Sequence, residues 1–157
     1  MSTTRPVNST ICFTLVNGSL FESDAKIWEL SGLVSVMLKN NENEDESVIF
    51  IPLNNISLEY LIKVVDFLNI YSNNPDTWKT IEKPINSVNI YEIVPSIYAD
   101  YIQKMTDEEV IALASAADYL DIKQLLDLTS LRIAILLKPH YENGSKEEVK
   151  KILGIKI

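Results

Sequence analysis

The sequence contains few of the residues from which catalytic, metal and disulfide sites are built. One cysteine, one histidine and four glycines occur among its 157 residues. A single cysteine excludes an internal disulfide and a zinc site made of several cysteines. A turn or a helix end explains each glycine, so no glycine-rich phosphate loop is present. We therefore expect neither a bound metal nor a cofactor.

Long apolar runs and an excess of positive charge are also missing. No stretch approaches the ~18 apolar residues of a membrane helix, and the start MSTTRPVNST lacks the apolar segment of a secretory signal. The formal net charge of -8 opposes nucleic-acid binding, which depends on Lys and Arg contacts to phosphates. These features predict a protein of the cytoplasm and nucleus without membrane or nucleic-acid partners.

Candidate catalytic residues are equally scarce. His140 lies in the segment KPHYENG, with no nucleophile, orienting carboxylate or further ligand at a useful spacing. Most carboxylates fall in the acidic stretch NNENEDE, residues 40–46, or at helix starts, where the helix dipole accounts for them. The acidic stretch lacks the spaced pattern of a calcium loop, which favours a solvated linker. The sequence thus predicts a protein that is not an enzyme.

The first third of the chain predicts a sheet of about three strands. TICFTLV and SLFE flank the dipeptide Asn17-Gly18, which is a strong hairpin signal because both residues tolerate positive φ. SVIFIP is apolar on both faces and predicts an inner strand that ends at Pro52. Short helices are predicted at SDAKIWELSG and GLVSVMLKN, so this part of the chain has an α+β pattern.

Helices dominate the remainder. LEYLIKVVDFLNIY and SIYADYIQKM predict helices on either side of a long connection over residues 72–95. TDEE forms a capping box, in which Thr106 and Glu109 satisfy free N–H groups at a helix start. Asp121 is a candidate N-cap for the next helix, and SKEE at 145–148 for a last short one.

The helix predicted over residues 122–137 has two apolar stripes. On a wheel of about 100° per residue, one face carries Ile122, Leu125, Leu126, Thr129, Ile133, Leu136 and Leu137. A second stripe, Leu128, Leu131 and Ile135, lies where such a helix is normally polar. Left in water, each of these aliphatic side chains forgoes roughly 1.5 to 3 kcal/mol. The stripe therefore needs a cover, which is the terminal helix, the long connection, a partner protein or a second copy.

Several segments resemble a known family. LASAADYLDIKQLLDLT, followed by KEEVKKILGIK, resembles the Skp family, the adaptor subunits of cullin-RING (SCF) ubiquitin ligases that hold F-box proteins. VNGSLFESD is similar to the family's opening hairpin, and IPLNNISLEYLIKVVDFLNIYSNNP to the helix before its proline-rich loop. The resemblance implies a BTB/POZ domain over residues 1–120 and a shortened helical F-box-binding extension over 121–157. It also implies a scaffold without catalysis.

The resemblance assigns two binding faces. Asp118 and Tyr119 stand at the position of the family's Asn-Tyr pair, which contacts the cullin; the tyrosine is kept and the asparagine is replaced. The F-box contact is implied for Leu126, Ser130, Ile133, Leu137, Ile152 and Ile155.

Two residues of the second stripe depart from the family pattern, and one alternative function stays open. Leu131 and Ile135 are apolar where Lys and Asn are expected, which favours self-association or an unusual F-box partner. The alternative is a diverged BTB protein that forms a homodimer or plays an elongin C-like role without an F-box. Elongin C-like chains end soon after AADYLD, so residues 122–157 argue against that alternative.

Overall fold

A mixed three-stranded sheet begins the described part of the chain. The computed structural model describes residues 10–40, 48–142 and 147, with the backbone alone at 140–142. Strand β1 (Thr10–Leu15) pairs antiparallel with β2 (Leu20–Asp24) and parallel with β3 (Val48–Leu53). The strand order is β2-β1-β3. The predicted small sheet is confirmed.

The hairpin between β1 and β2 is confirmed, but its turn differs from the prediction. The Leu15 N–H donates to the Ser19 carbonyl, which leaves a loop of three residues. Within this loop only Gly18 has a positive φ, of 86°. Asn17 instead accepts a hydrogen bond from the Ser19 N–H through its side chain, at 2.9 Å. A turn followed by a left-handed glycine is typical of three-residue hairpin loops.

Strand β3 lies at an edge of the sheet, so the prediction of an inner strand is wrong. Its residues alternate between buried and exposed, and the Phe50 side chain is 65% exposed. Pro52, which was expected to end the strand, lies within it. An edge strand tolerates proline because one side of its backbone needs no partner. The central strand is β1, in which three consecutive residues, Ile11 to Phe13, are buried.

Five α-helices in the described residues form one hydrophobic core with the sheet. Their bounds are α1 Gly32–Asn40, α2 Leu58–Asn73, α3 Ser96–Gln103, α4 Asp107–Leu120 and α5 Lys123–Glu142. Of two 3-10 helices, Ala25–Leu30 lies between β2 and α1, and Ile90–Glu92 lies between α2 and α3. The predicted α+β class is confirmed, whereas the last predicted helix lies outside the described residues.

Aromatic rings organise two parts of the core. Phe13 of β1 packs on Trp28 with ring centroids 4.8 Å apart, and the Trp28 indole donates to the Ser23 hydroxyl. On the other side of α2, the fully buried Phe67 contacts Tyr98 and Trp78. Phe67 is therefore a core residue.

The connection between α2 and α3 packs against the helices. Ile81, Ile90 and Val94 are buried and belong to the main core cluster. Trp78 lies edge-on to Tyr98, with ring centroids 5.0 Å apart. These anchors hold the 3-10 helix Ile90–Glu92 against α3 and α5. The connection therefore covers one side of α5.

Candidate functional site

The start of α4 is fixed by the predicted capping box. The Thr106 hydroxyl accepts from the Glu109 N–H at 3.1 Å, and the Glu109 carboxylate accepts from the Thr106 N–H at 2.9 Å. This backbone hydrogen bond is the main cause that lowers the pKa of Glu109, and the Lys63 ammonium at 3.5 Å adds to it. The box thereby sets the first turn of the helix that carries one candidate face.

The apolar spacing after the capping box predicts that α4 buries Val110, Leu113, Ala114, Ala117 and Leu120, and the structure confirms this face with one change. Val110, Leu113, Ala117 and Leu120 are buried as expected, whereas Ala114 is only half-buried. Ala116, not Ala114, completes the buried face.

The end of α4 presents the two residues assigned to cullin binding. Asp118 is exposed, and Tyr119 is half-buried with its ring packed against the main core. Asp121, expected as the N-cap of the next helix, instead ends α4 in a left-handed conformation with φ 55° and ψ 55°. Its N–H donates to the carbonyls of Ala117 and Asp118. The turn that holds Asp118 and Tyr119 is thus closed by backbone hydrogen bonds.

The buried face of α5 is wider than the first stripe alone. Ile122, Leu125 and Thr129 are buried as predicted, but so are Leu128 and Leu131 of the second stripe, with Leu131 only 3% exposed. Leu128 and Leu131 therefore have the cover that the sequence analysis required.

The cover of the second stripe is supplied by the chain itself. Helix α5 packs against α4, α3 and the 3-10 helix Ile90–Glu92, and Ile135 is half-buried against the same core. The long connection, one of the four covers considered, is thus part of the cover. Because Leu128 and Leu131 are buried within the chain, they do not require a partner protein or a second copy as cover.

Two ion pairs that the sequence did not reveal join α5 to segments distant in sequence. The Arg132 guanidinium donates to the Asp107 carboxylate at 2.8 Å, and the Lys83 ammonium lies 3.7 Å from the Asp127 carboxylate. No local spacing indicates either pair. Exposed ion pairs contribute little to stability, so the rotation that turns Leu128 and Leu131 inward rests mainly on the burial of apolar side chains.

The face assigned to F-box binding lies beside the buried face of α5. Leu126, Ser130, Ile133 and Leu137 are four, three and four residues apart, which places them on one side of the helix. Ser130 is exposed, Leu126 and Ile133 are half-buried against the core, and Leu137 is 6% exposed. Ile152 and Ile155 lie outside the described residues. Four of the six assigned residues are therefore brought together.

Helix α5 is longer than the sequence predicted. Helix α5 continues through Pro139 to Glu142, beyond the predicted end at residue 137. Pro139 has no N–H, so the helix lacks one of its hydrogen bonds there. The side chain of His140 is outside the description.

No group of three or more His, Cys, Asp and Glu side chains in the described residues is arranged to hold a metal ion. No helix in the same ranges is both long and apolar enough to cross a membrane.

Comparison with known proteins gives several relatives. No protein-family model matches the chain. The S-phase kinase-associated protein 1 homolog of Tetrahymena thermophila is 31% identical over 140 residues, which cover 89% of this chain and 78% of the relative. The SCF ubiquitin ligase complex protein SKP1b of Dictyostelium discoideum is 32% identical over 144 residues, covering 87% and 82%. The E3 ubiquitin ligase complex SCF subunit sconC of Talaromyces stipitatus is 30% identical over 122 residues, covering 77% and 71%.

Proposed function

This chain belongs to the SKP1 family of SCF ubiquitin ligase subunits, and on that premise we propose that it is an adaptor joining a cullin to an F-box protein. The adaptor itself performs no chemistry. Its two candidate faces recognise their partners, and the catalytic steps of ubiquitin transfer belong to other subunits.

The observation that carries the proposal is the placement of two faces on consecutive helices of one core. Asp118 and Tyr119 lie at the end of α4, and Leu126, Ser130 and Ile133 lie on α5. Residues of both helices belong to the same core cluster. A binding face built on a packed helix is held more firmly than one built on a loop. Two partners bound to such faces would keep a fixed relative position.

The chemistry of the two faces differs. The α5 face is mainly aliphatic and suits an apolar helix laid along it, as in other helix-in-groove contacts. The α4 face combines an aromatic ring with a carboxylate, and tyrosine is enriched among residues that dominate binding energy. A carboxylate accepts hydrogen bonds, so a cullin group that contacts the Asp118 carboxylate directly would be a hydrogen-bond donor. The family's asparagine has no such restriction.

Separate substitutions on the two faces test the proposal. We expect Tyr119→Lys to weaken binding of a purified SCF cullin by about thirtyfold, the loss typical of a residue that dominates an interface, and to spare F-box binding. Ile133→Lys should give the reverse pattern. Gln103→Lys adds the same charge at an exposed site at the end of α3, outside both faces, and serves as the matched control. Titration of each variant against each partner measures the two affinities.

Two results would count against the adaptor. If both lysine variants bind both partners as tightly as the control does, the assigned faces are wrong. If the unaltered chain binds a cullin and no F-box protein, the elongin C-like alternative gains support.

A further inference from the structure

The start of α1 and the end of α4 meet in a close backbone contact. The Gly32 N–H donates to the Asp121 carbonyl at 2.9 Å, and the Ser31 hydroxyl donates to the Leu120 carbonyl at 2.6 Å. Ser31 is fully buried, and its oxygen also accepts from the Val34 N–H at 3.1 Å. The last carbonyls of a helix need such partners, which usually come from water or the following residues. Here they come from a segment 89 residues earlier.

In this arrangement Asp121 adopts an unfavourable, left-handed backbone conformation. Left-handed φ and ψ are unfavourable for a residue with a side chain, although less so for Asp than for most. The conformation is held by the Asp121 N–H, which donates to Ala117 and Asp118, and by the Ile122 N–H, which donates to Ala117 at 3.0 Å. The same turn carries Asp118 and Tyr119. The position of Asp121 therefore sets the position of the candidate cullin face.

Gly32 is what lets Asp121 lie there. A Cβ atom added at Gly32 would lie 1.9 Å from the Asp121 Oδ2, 2.8 Å from its Cγ and 3.1 Å from its Cβ. Rotation of the Asp121 side chain about its Cα–Cβ bond can relieve the first two contacts but leaves the third, since the Cβ is fixed by the backbone. Gly18 is the glycine of positive φ in the described residues, so the backbone of Gly32 does not itself require glycine. Helix propensity also favours alanine at the start of α1.

We propose that Gly32 is a positioning residue for the cullin-binding face, because its missing side chain lets the left-handed Asp121 hold the turn of Asp118 and Tyr119 in its binding geometry. The consequence for cullin affinity rests on the proposed adaptor function. The geometric part does not, since it concerns contacts within one chain.

A double-mutant cycle tests this proposal. The four full-length proteins are the unaltered chain, Gly32→Ala, Asp121→Gly and the double variant. Asp121→Gly removes the Cβ that Gly32→Ala would strike and places glycine where the left-handed conformation favours it. Three quantities are measured for each: the backbone amide resonances of Asp118 and Tyr119, the melting temperature, and the affinities for a purified SCF cullin and for a purified F-box protein.

Each of the three measurements has an expected direction. Gly32→Ala alone should shift the two amide resonances, lower the melting temperature and weaken cullin binding by about twofold or more, the lower end of coupling between contacting residues. F-box binding should change less. In the Asp121→Gly background, the same substitution should raise the melting temperature, because helix propensity then favours alanine. The two resonances and the cullin affinity of the double variant should match those of Asp121→Gly alone.

The outcomes separate the two levels of inference. The positioning role is overturned if the resonances do not move in Gly32→Ala, or if those of the double variant differ from those of Asp121→Gly alone. This holds for any result of the cullin titration. If the unaltered chain binds no cullin while the resonances shift and return as expected, the proposed function fails and the contact survives as a determinant of the turn alone. If the resonances of the double variant match those of Asp121→Gly but its cullin binding is weaker, the link between this contact and the cullin face is rejected.

Discussion

Arg132 in the middle of α5 donates a hydrogen bond to Asp107, the first residue of α4, over 2.8 Å. The Arg132 side chain is only 18% exposed, so the pair is held partly away from water. The two residues lie 25 positions apart, so the contact joins the two helices in one relative rotation. In that rotation Leu128 and Leu131 lie in the core and Ser130 is exposed. The adaptor surface of α5 follows from that rotation.

Truncation of Leu131 tests the rotation of α5. We expect Leu131→Ala to lower the free energy of unfolding by about 2 to 5 kcal/mol, since it leaves a cavity in a core that relaxes only in part. Ser130→Ala, on the exposed side of the same helix, should change it by less than about 0.5 kcal/mol. Urea denaturation measures both. Equal stability of the two variants would mean that Leu131 faces solvent and that α5 is rotated differently.

The capping box at the start of α4 should contribute measurably to stability. Thr106→Ala removes the oxygen that accepts from the Glu109 N–H, and we expect a loss of about 1 kcal/mol. Thr106→Ser keeps that oxygen and is the matched control. A melting curve for Thr106→Ala that superimposes on the control would contradict the role of the box.

The lowered pKa of Glu109 predicts a pH dependence. Because the folded pKa lies below the unfolded value, the ionised carboxylate stabilises the fold above about pH 4.3, and this stabilisation is lost as the pH falls through the folded pKa. Glu109→Gln lacks the titration. The difference in unfolding free energy between the unaltered chain and Glu109→Gln should therefore shrink between about pH 7 and about pH 3. A difference that stays constant over this range would be inconsistent with the lowered pKa.

Tyr101 joins α3 to α2 through a single hydrogen bond. Its hydroxyl donates to the Lys63 carbonyl at 2.6 Å, and burial raises the pKa of the Tyr101 phenol. Tyr101→Phe should cost about 1 kcal/mol at neutral pH. A raised folded pKa means that the stabilisation is present below about pH 10 and is lost as the pH rises further, so the unaltered chain should lose more stability in alkali than Tyr101→Phe does. Denaturant titration at each pH measures the free energy of unfolding of the two proteins. If it falls equally in both as the pH rises, the Tyr101 phenol is accessible to solvent.

Local signals predicted the elements of the fold well. Asn17-Gly18 marked the hairpin, and Thr106 with Glu109 marked the start of α4, because each signal depends on residues that contact neighbours in the sequence. The edge position of β3 was missed because strand order depends on pairing with β1, which the composition of β3 does not encode.

The candidate site was predictable only in part. The resemblance to the family, and not the helical spacing, grouped Leu126, Ser130 and Ile133, and the structure places all three on one side of α5. The wheel could not say that residues of both apolar stripes are buried, since α3, α4 and the connection before α3 together supply the cover. The contact of Gly32 with Asp121 was also invisible, because nothing near Gly32 in the sequence indicates a neighbour at the end of α4. The division into a domain over 1–120 and an extension over 121–157 stays a prediction.

Assembly of three purified proteins tests the adaptor most directly. A cullin, an F-box protein and this chain are mixed in equal amounts, and the mass of the complex is measured by light scattering after size-exclusion chromatography. The account predicts one complex that contains one copy of each protein and that does not form when the chain is omitted. A cullin and an F-box protein that elute apart in the presence of the chain, at concentrations where the chain is folded, would contradict it.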